Sequence, residues 1–159
     1  MSILQSGTIT PGHIAAWTTD GVIQDGGAAP FNVIASLRSA NFNITTDQPI
    51  IIPQSIVAFQ LTGIVITNAS VSLTTAQGGF YPAASKGGTP IVASSQAYSA
   101  LTTANGLVSA TLATFGSTTR FSAATLGNIN GLLAIWFALT TPQGAGATAD
   151  VFLIGNNLS

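Results

Sequence analysis

An all-β fold follows from three features of this chain. Its apolar residues fall in short runs with strand alternation. Turn-forming residues separate those runs at intervals of roughly 8–12 residues, and sequence with a helical period is scarce. LLAIWFALTT (132–141) shows the pattern best, with Leu133, Ile135, Phe137 and Leu139 on one face and Ala134, Trp136 and Ala138 on the other. We expect a single antiparallel β-sandwich over residues 31–159, jelly-roll-like in topology, preceded by an extended N-terminal arm or strap at 1–30. Strand spacing fits an immunoglobulin-like sandwich as well.

The elements can be justified in order. The first thirty residues hold Gly7, Gly12, Gly21, Gly26, Gly27, Pro11 and Pro30 with only short apolar pieces between them. So short a piece cannot bury a core of its own, which favours an arm packed on the sandwich or on a neighbouring subunit. FNVIASLR (31–38) reads as a strand, and NFNITTDQP after it disfavours a continued ladder. PIIIP (49–53) is a brief apolar strand between prolines, suited to an edge or a corner.

In IVAFQLTGIVITNA (56–69), Val57, Phe59 and Leu61 alternate with Ala58 and Gln60, and Gly63 predicts a bulge or bend before Ile64. VSLTT (71–75) reads as a strand ended by a turn at Gln77-Gly78-Gly79, and SSQAYSALTTA (94–104) as a helical turn or two at most. LVSATLATF (107–115) puts Val108, Ala110 and Leu112 on one face. ADVFLIGN (149–156) is apolar on both faces, as in a strand covered on both sides.

Composition excludes several function classes. Charged residues make up 4% of the chain, against about 25% in an ordinary domain. They are Asp20, Asp25, Asp47, Asp150, Arg38, Lys86 and Arg120, and there is no Glu. A net charge of −1 provides little repulsion between copies, so the surface reads as one that other subunits cover. Three cations cannot neutralise a run of phosphates, so nucleic acid is not an expected partner. No cysteine means no disulfide and no thiolate metal site. The apolar run LLAIWFAL (132–139) is too short to span a bilayer, and MSILQSG lacks the features of a signal peptide. No membrane partner is expected, and synthesis is expected in a cytoplasm.

The rare residues concentrate in TPGHIAAWTTDGVIQDGG (10–27), which contains His13, Trp17, Asp20 and Asp25. His13 with Asp20 or Asp25 has the makings of a hydrolase triad, but no G-x-S-x-G elbow accompanies them. The favoured reading is a histidine hydrogen-bonded in a turn, with Trp17 packed as an anchor. Asp20, Asp25 and Asp47 lie among oxygen donors without the alternation of a calcium loop, and Asp-Gly is a tight-turn signal. Four aspartates with no aromatic cluster beside them do not support glycoside hydrolysis. The Gly-Gly pairs at 26–27, 78–79 and 87–88 lack the Lys-Ser/Thr of a phosphate loop and read as turns. Lys86 reads as a solvated loop charge or a salt-bridge partner between subunits. Arg38 and Asp47 bracket SANFNITTDQP, which suggests an ion pair that fixes register or a subunit contact. No catalytic residue, metal or cofactor is expected.

SGTITPGHIAAWTTDGVIQDGG resembles a segment recurrent at the start of tailed-bacteriophage virion proteins described as tail-fibre or head-associated. NFNITTDQPIIIP, IVITNASVSLTTAQGGFYPAASKGGTPIV, AYSALTTA and LTTPQGAGATADVFLIGNNL resemble a family of small phage structural proteins of similar length, and together they cover most of the chain. The resemblance implies a virion component without enzymatic activity. A short chain without shaft-like repeats fits a capsid cement or decoration protein better than a fibre. The expected partners are the major capsid protein and further copies of the chain, as a trimer at capsomer junctions on the outer capsid surface. His13, Trp17, Asp20, Asp25 and Arg38 are the expected contact residues, with Trp17 the best anchor. A fibre-associated adaptor and a glycan-binding module are the alternatives.

Overall fold

A computed structural model describes residues 32–103, 106–144 and 146–158, together with the backbone of three strands between residues 4 and 28. The chain divides into two units, Met1–Asn32 and Val33–Ser159.

In the first unit β1 (Leu4–Ser6), β2 (His13–Trp17) and β3 (Val22–Ala28) form a three-stranded sheet in the order β1-β3-β2. β1 runs parallel to β3, and β2 antiparallel to it. The segment read as an arm therefore carries a sheet. The Gly26-Gly27 pair is in β3 and not in a turn. Its register explains the glycines: His13 faces Ala28 and Ala15 faces Asp25, so Gly26 and Gly27 together oppose Ile14 in a β-bulge.

In the second unit the described strands are β4 (Asn32–Asn41), β5 (Gln48–Ile51), β6 (Ala58–Thr67), β7 (Gln77–Tyr81) and β8 (Leu107–Ala110), then β9 (Phe121–Ser122), β10 (Asn128–Ile129), β11 (Leu132–Thr141) and β12 (Thr148–Asn157). One short helix, α1 (Thr114–Thr118), lies between β8 and β9. The strands form two sheets packed face to face, a β-sandwich. In the first sheet β11 pairs antiparallel with β5, β7 and β10. In the second the order is β4-β12-β6-β8, with β9 also on β6.

The core between the sheets follows strand alternation. Ile135, Phe137 and Leu139 of β11 are fully buried, as are Val151 and Leu153 of β12. Phe137 is the hub, with its ring centroid 5.0 Å from both Phe42 and Phe80 and 6.1 Å from Tyr98. The Tyr98 hydroxyl is held by donation to the Gly78 carbonyl oxygen at 3.0 Å. Burial of the phenol drives its pKa far above the ordinary tyrosine value, with Tyr81 adding to the shift, so the group is a fixed donor.

Two readings of the sequence are borne out by register. In β6 the buried residues change parity from Phe59 and Leu61 to Ile64 and Ile66, and Gly63 faces Ile154 while Leu61 faces Gly155. Thr62 is the extra residue of a bulge, at the expected place. Among the described strands β5 pairs only with β11, and exposed Pro49 and Ile51 alternate with buried Ile50 and Ile52, an edge strand with one wet face.

Other readings are corrected. VSLTT is irregular, and Gln77-Gly78-Gly79 begins β7. The glycines are there for close approach: a Cβ on Gly78 would meet the Ala138 carbonyl oxygen at 2.5 Å, and one on Gly79 the Val92 carbonyl oxygen at 2.5 Å. Only Gly87-Gly88 of the three pairs is a turn, with Gly88 at φ +80°. SSQAYSALTTA keeps to turns over its described residues 94–103, as expected. Val57 precedes its strand and is exposed. β12 is buried on one face only; Asp150, Phe152 and Ile154 alternate out of the core and are half-exposed.

Candidate functional site

The outer face of the β4-β12-β6-β8 sheet is the most distinctive surface of the larger unit. Because β12 alternates, placing Ala149, Val151 and Leu153 inward turns Asp150, Phe152 and Ile154 outward. Cross-strand register then sets Phe152 beside Val65 and Val65 beside Ser109. Asp150 lies beside Thr67, and Thr67 beside Leu107, which is 55% exposed. The result is a partly buried apolar row, Phe152-Ile154-Val65, beside exposed Leu107, on a sheet face with very little charge.

The charge it has is neutralised internally. Arg38 on β4 reaches across to β12, where its Nη1 donates to Asp150 Oδ2 at 2.9 Å. The same guanidinium lies 4.4 Å above the Phe152 ring centroid, a cation–π contact. The Ser39 amide donates to Asp150 Oδ1 at 2.9 Å and Asn68 Nδ2 to Oδ2 at 3.0 Å. Ser39 and Asn68 both adopt left-handed backbone, at φ 52° and 54°. Asparagine is one of the few residues that does so readily. The Asn68 hydrogen bond, the Ser39 amide and Arg38 hold the Asp150 carboxyl below the usual carboxylate range, against a smaller opposing effect of burial. A carboxylate with three donors and a depressed pKa is a poor proton acceptor at neutral pH. The cluster ties the end of β4 and the residue after β6 to β12.

Arg38 is thus the one expected contact residue whose side chain the structure places, and its partner differs from the one expected. Asp47 lies in the loop before β5, where it accepts from the Ser85 amide, whereas Asp150 sits on the strand that pairs with β4. A partner 112 residues away left no trace in local spacing. His13 and Trp17 lie in β2 and Asp25 in β3, with Asp25 opposite Ala15 and not opposite His13. Asp20 lies outside the described residues.

Two hollows lie elsewhere on the larger unit. Thr45, Thr46, Asp47, Ser85 and Lys86 surround an open polar hollow, with Lys86 exposed. Near it the Tyr81 phenol has its pKa raised by burial, opposed by a hydrogen bond with Ser94 and assisted by Asp47. A second hollow of about 220 Å³ is lined by Ile52, Pro53, Ile56, Val57, Leu132 and Leu133 among others, with Gln54 its polar side chain. Among the described residues no three His, Cys, Asp or Glu side chains converge, and no buried side-chain nitrogen or oxygen lacks a hydrogen-bond partner. No described helix is long and apolar enough to cross a membrane.

No protein-family model, no curated protein and no solved structure matches this chain.

Proposed function

We propose that this protein is a non-enzymatic structural component of a tailed-phage particle, a cement or decoration subunit. In this reading it binds the major capsid protein on the outer shell at capsomer junctions. The observation that carries the reading is the apolar outer sheet face, Phe152-Ile154-Val65-Leu107, in a chain with only seven charged residues. A freely diffusing protein normally surrounds such a face with charge. Here the one ion pair on the face is satisfied within the sandwich, leaving apolar area and uncharged hydrogen-bonding groups for a partner.

The sequence resemblance supplies the class of particle, and the N-terminal unit with His13, Trp17, Asp20 and Asp25 supplies a second attachment element. Many modest contacts repeated over a lattice give retention without any single strong site. The same N-terminal segment favours a second reading, an adaptor that docks a fibre to the particle.

Immuno-electron microscopy of the tailed particles that carry this chain separates the two. Label over the whole head at many copies is the expected result. Label confined to the tail or to one vertex overturns the cement role and favours the adaptor.

A further inference from the structure

β10 and β11 are joined by two residues, Asn130 and Gly131. Ile129 pairs with Leu132, and the Ala134 amide donates to the Gly127 carbonyl at 3.1 Å, so the hairpin closes directly on its turn. Both turn residues have left-handed backbone, Asn130 at φ 51° and Gly131 at φ 81°. That is the type I′ turn that Asn-Gly favours between two strands. Both residues are exposed, and nothing lies within 4 Å of a Cβ built on Gly131. Among the described residues nothing hydrogen-bonds the Asn130 side chain. The bond that closes such a turn uses the amide of its fourth residue, here Leu132, which leaves the Gly131 nitrogen free.

We infer that Asn130 is a self-modification site, at which the Gly131 nitrogen converts the side-chain amide to a carboxylate through a cyclic imide. The nitrogen bonds to Asn130 Cγ and gives up its proton, and the Cγ–Nδ2 bond breaks to release ammonia. One water then opens the five-membered ring. Cleavage at Cγ leaves aspartate, and cleavage at the main-chain carbonyl leaves isoaspartate, with the backbone running through the side chain. Water is the only co-reactant, and nothing is oxidised or reduced.

The turn supplies both a resting and a reactive geometry. Ring closure needs the Gly131 nitrogen eclipsed with the Asn130 Cβ. In a type I′ turn the first central ψ is about 30°, which puts the nitrogen nearly opposite Cβ. In a type II′ turn φ is the same and ψ is about −120°, the value the ring requires. Flipping the single peptide between Asn130 and Gly131 interconverts the two. Both turns match the twist of the flanking strands, so β10 and β11 stay paired. Glycine accepts either sign of φ and puts no Cβ beside the attacking nitrogen. The new carboxylate takes the formal net charge of the chain from −1 to −2, and isoaspartate adds a backbone atom to a turn whose length sets the register. The inference is independent of the virion reading.

The test is incubation of the full chain in mildly alkaline buffer, then trypsin and tandem mass spectrometry. Asn105-Gly106 is the chain's other Asn-Gly pair, and cleavage after Lys86 and Arg120 puts Asn105 and Asn130 in separate peptides. A synthetic peptide of residues 127–133 is the unfolded reference. Asparagine is strained at the first central position of a type II′ turn, so position 130 should convert at most about a hundredfold more slowly in the folded chain than in the peptide. Isoaspartate should appear beside aspartate, and Gly131→Ala should slow both. Conversion slower than a hundredfold below the peptide overturns the inference, because global unfolding alone accounts for it. So does aspartate formed without isoaspartate, or a Gly131→Ala chain that converts as fast as the wild type.

Discussion

Gly78 and Gly63 look alike in the sequence, each a glycine in an apolar stretch, yet the structure assigns them opposite responses to alanine. A Cβ on Gly78 would lie 2.5 Å from the Ala138 carbonyl oxygen and 2.6 Å from the Leu139 Cα. Both are backbone atoms of β11, the strand at the centre of its sheet, so neither can rotate away. Relief requires β7 to part from β11, which would disturb the Phe80–Phe137 contact and the Tyr98–Gly78 hydrogen bond. Overpacking of this kind costs about 1–3 kcal/mol, and a clash confined to backbone belongs at the upper end.

At Gly63 nothing lies within 4 Å of an added Cβ, and its φ is not in the positive region. Gly63→Ala restricts only the unfolded chain and should be neutral or stabilising by up to about 1 kcal/mol. At this chain length each kcal/mol moves the melting temperature by about 2–4 °C. The assay is thermal and urea unfolding of both variants by far-UV circular dichroism, at matched protein concentration because association shifts the midpoint. Gly78→Ala should melt roughly 6–12 °C below wild type, and Gly63→Ala at or above it. A Gly78→Ala protein that melts with the wild type would refute the close-approach account. A Gly63→Ala protein as unstable as Gly78→Ala would refute the open space assigned around Gly63.

Two further predictions concern the core and the surface cluster. Phe137→Ala removes the ring that contacts Phe42, Phe80 and Tyr98, and should cost about 3–5 kcal/mol, read as a lower urea midpoint. Asp150 has a folded-state pKa below its unfolded value. Its contribution is therefore present above the ordinary carboxylate range and is lost as pH falls through the folded-state value. Wild type and Asp150→Asn should differ in urea midpoint at neutral pH and converge in acid. A difference that persists at the lowest pH would contradict the hydrogen-bonded carboxylate.

What the sequence revealed, and what it hid, divides along local and non-local lines. The two faces of β11, the bulge near Gly63 and the edge character of β5 all come from alternation and from proline or glycine within one strand, and they are legible. The Gly78-Gly79 pair is illegible because a glycine needed for backbone approach looks the same as a glycine needed for a turn. Only the position of β11 and of residue Val92 tells them apart. Arg38 has the same difficulty: its spacing to Asp47 suggested a pair, but pairing of β4 with β12 brings Asp150 to it instead. The alternation of β12 was obscured because its outward positions hold Phe152 and Ile154, apolar residues where a solvent face would carry polar ones.

That last departure bears directly on function. In an antiparallel sheet with one wet face, outward positions are the cheapest places to put charge, and this chain leaves Phe152, Ile154, Val65 and Leu107 there. The neighbouring Arg38 lies over Phe152 and neutralises Asp150, so the charge on this face is paired within the sheet. Pairing with Asp150 offsets part of the cost of taking Arg38, whose side chain is 63% exposed, out of water.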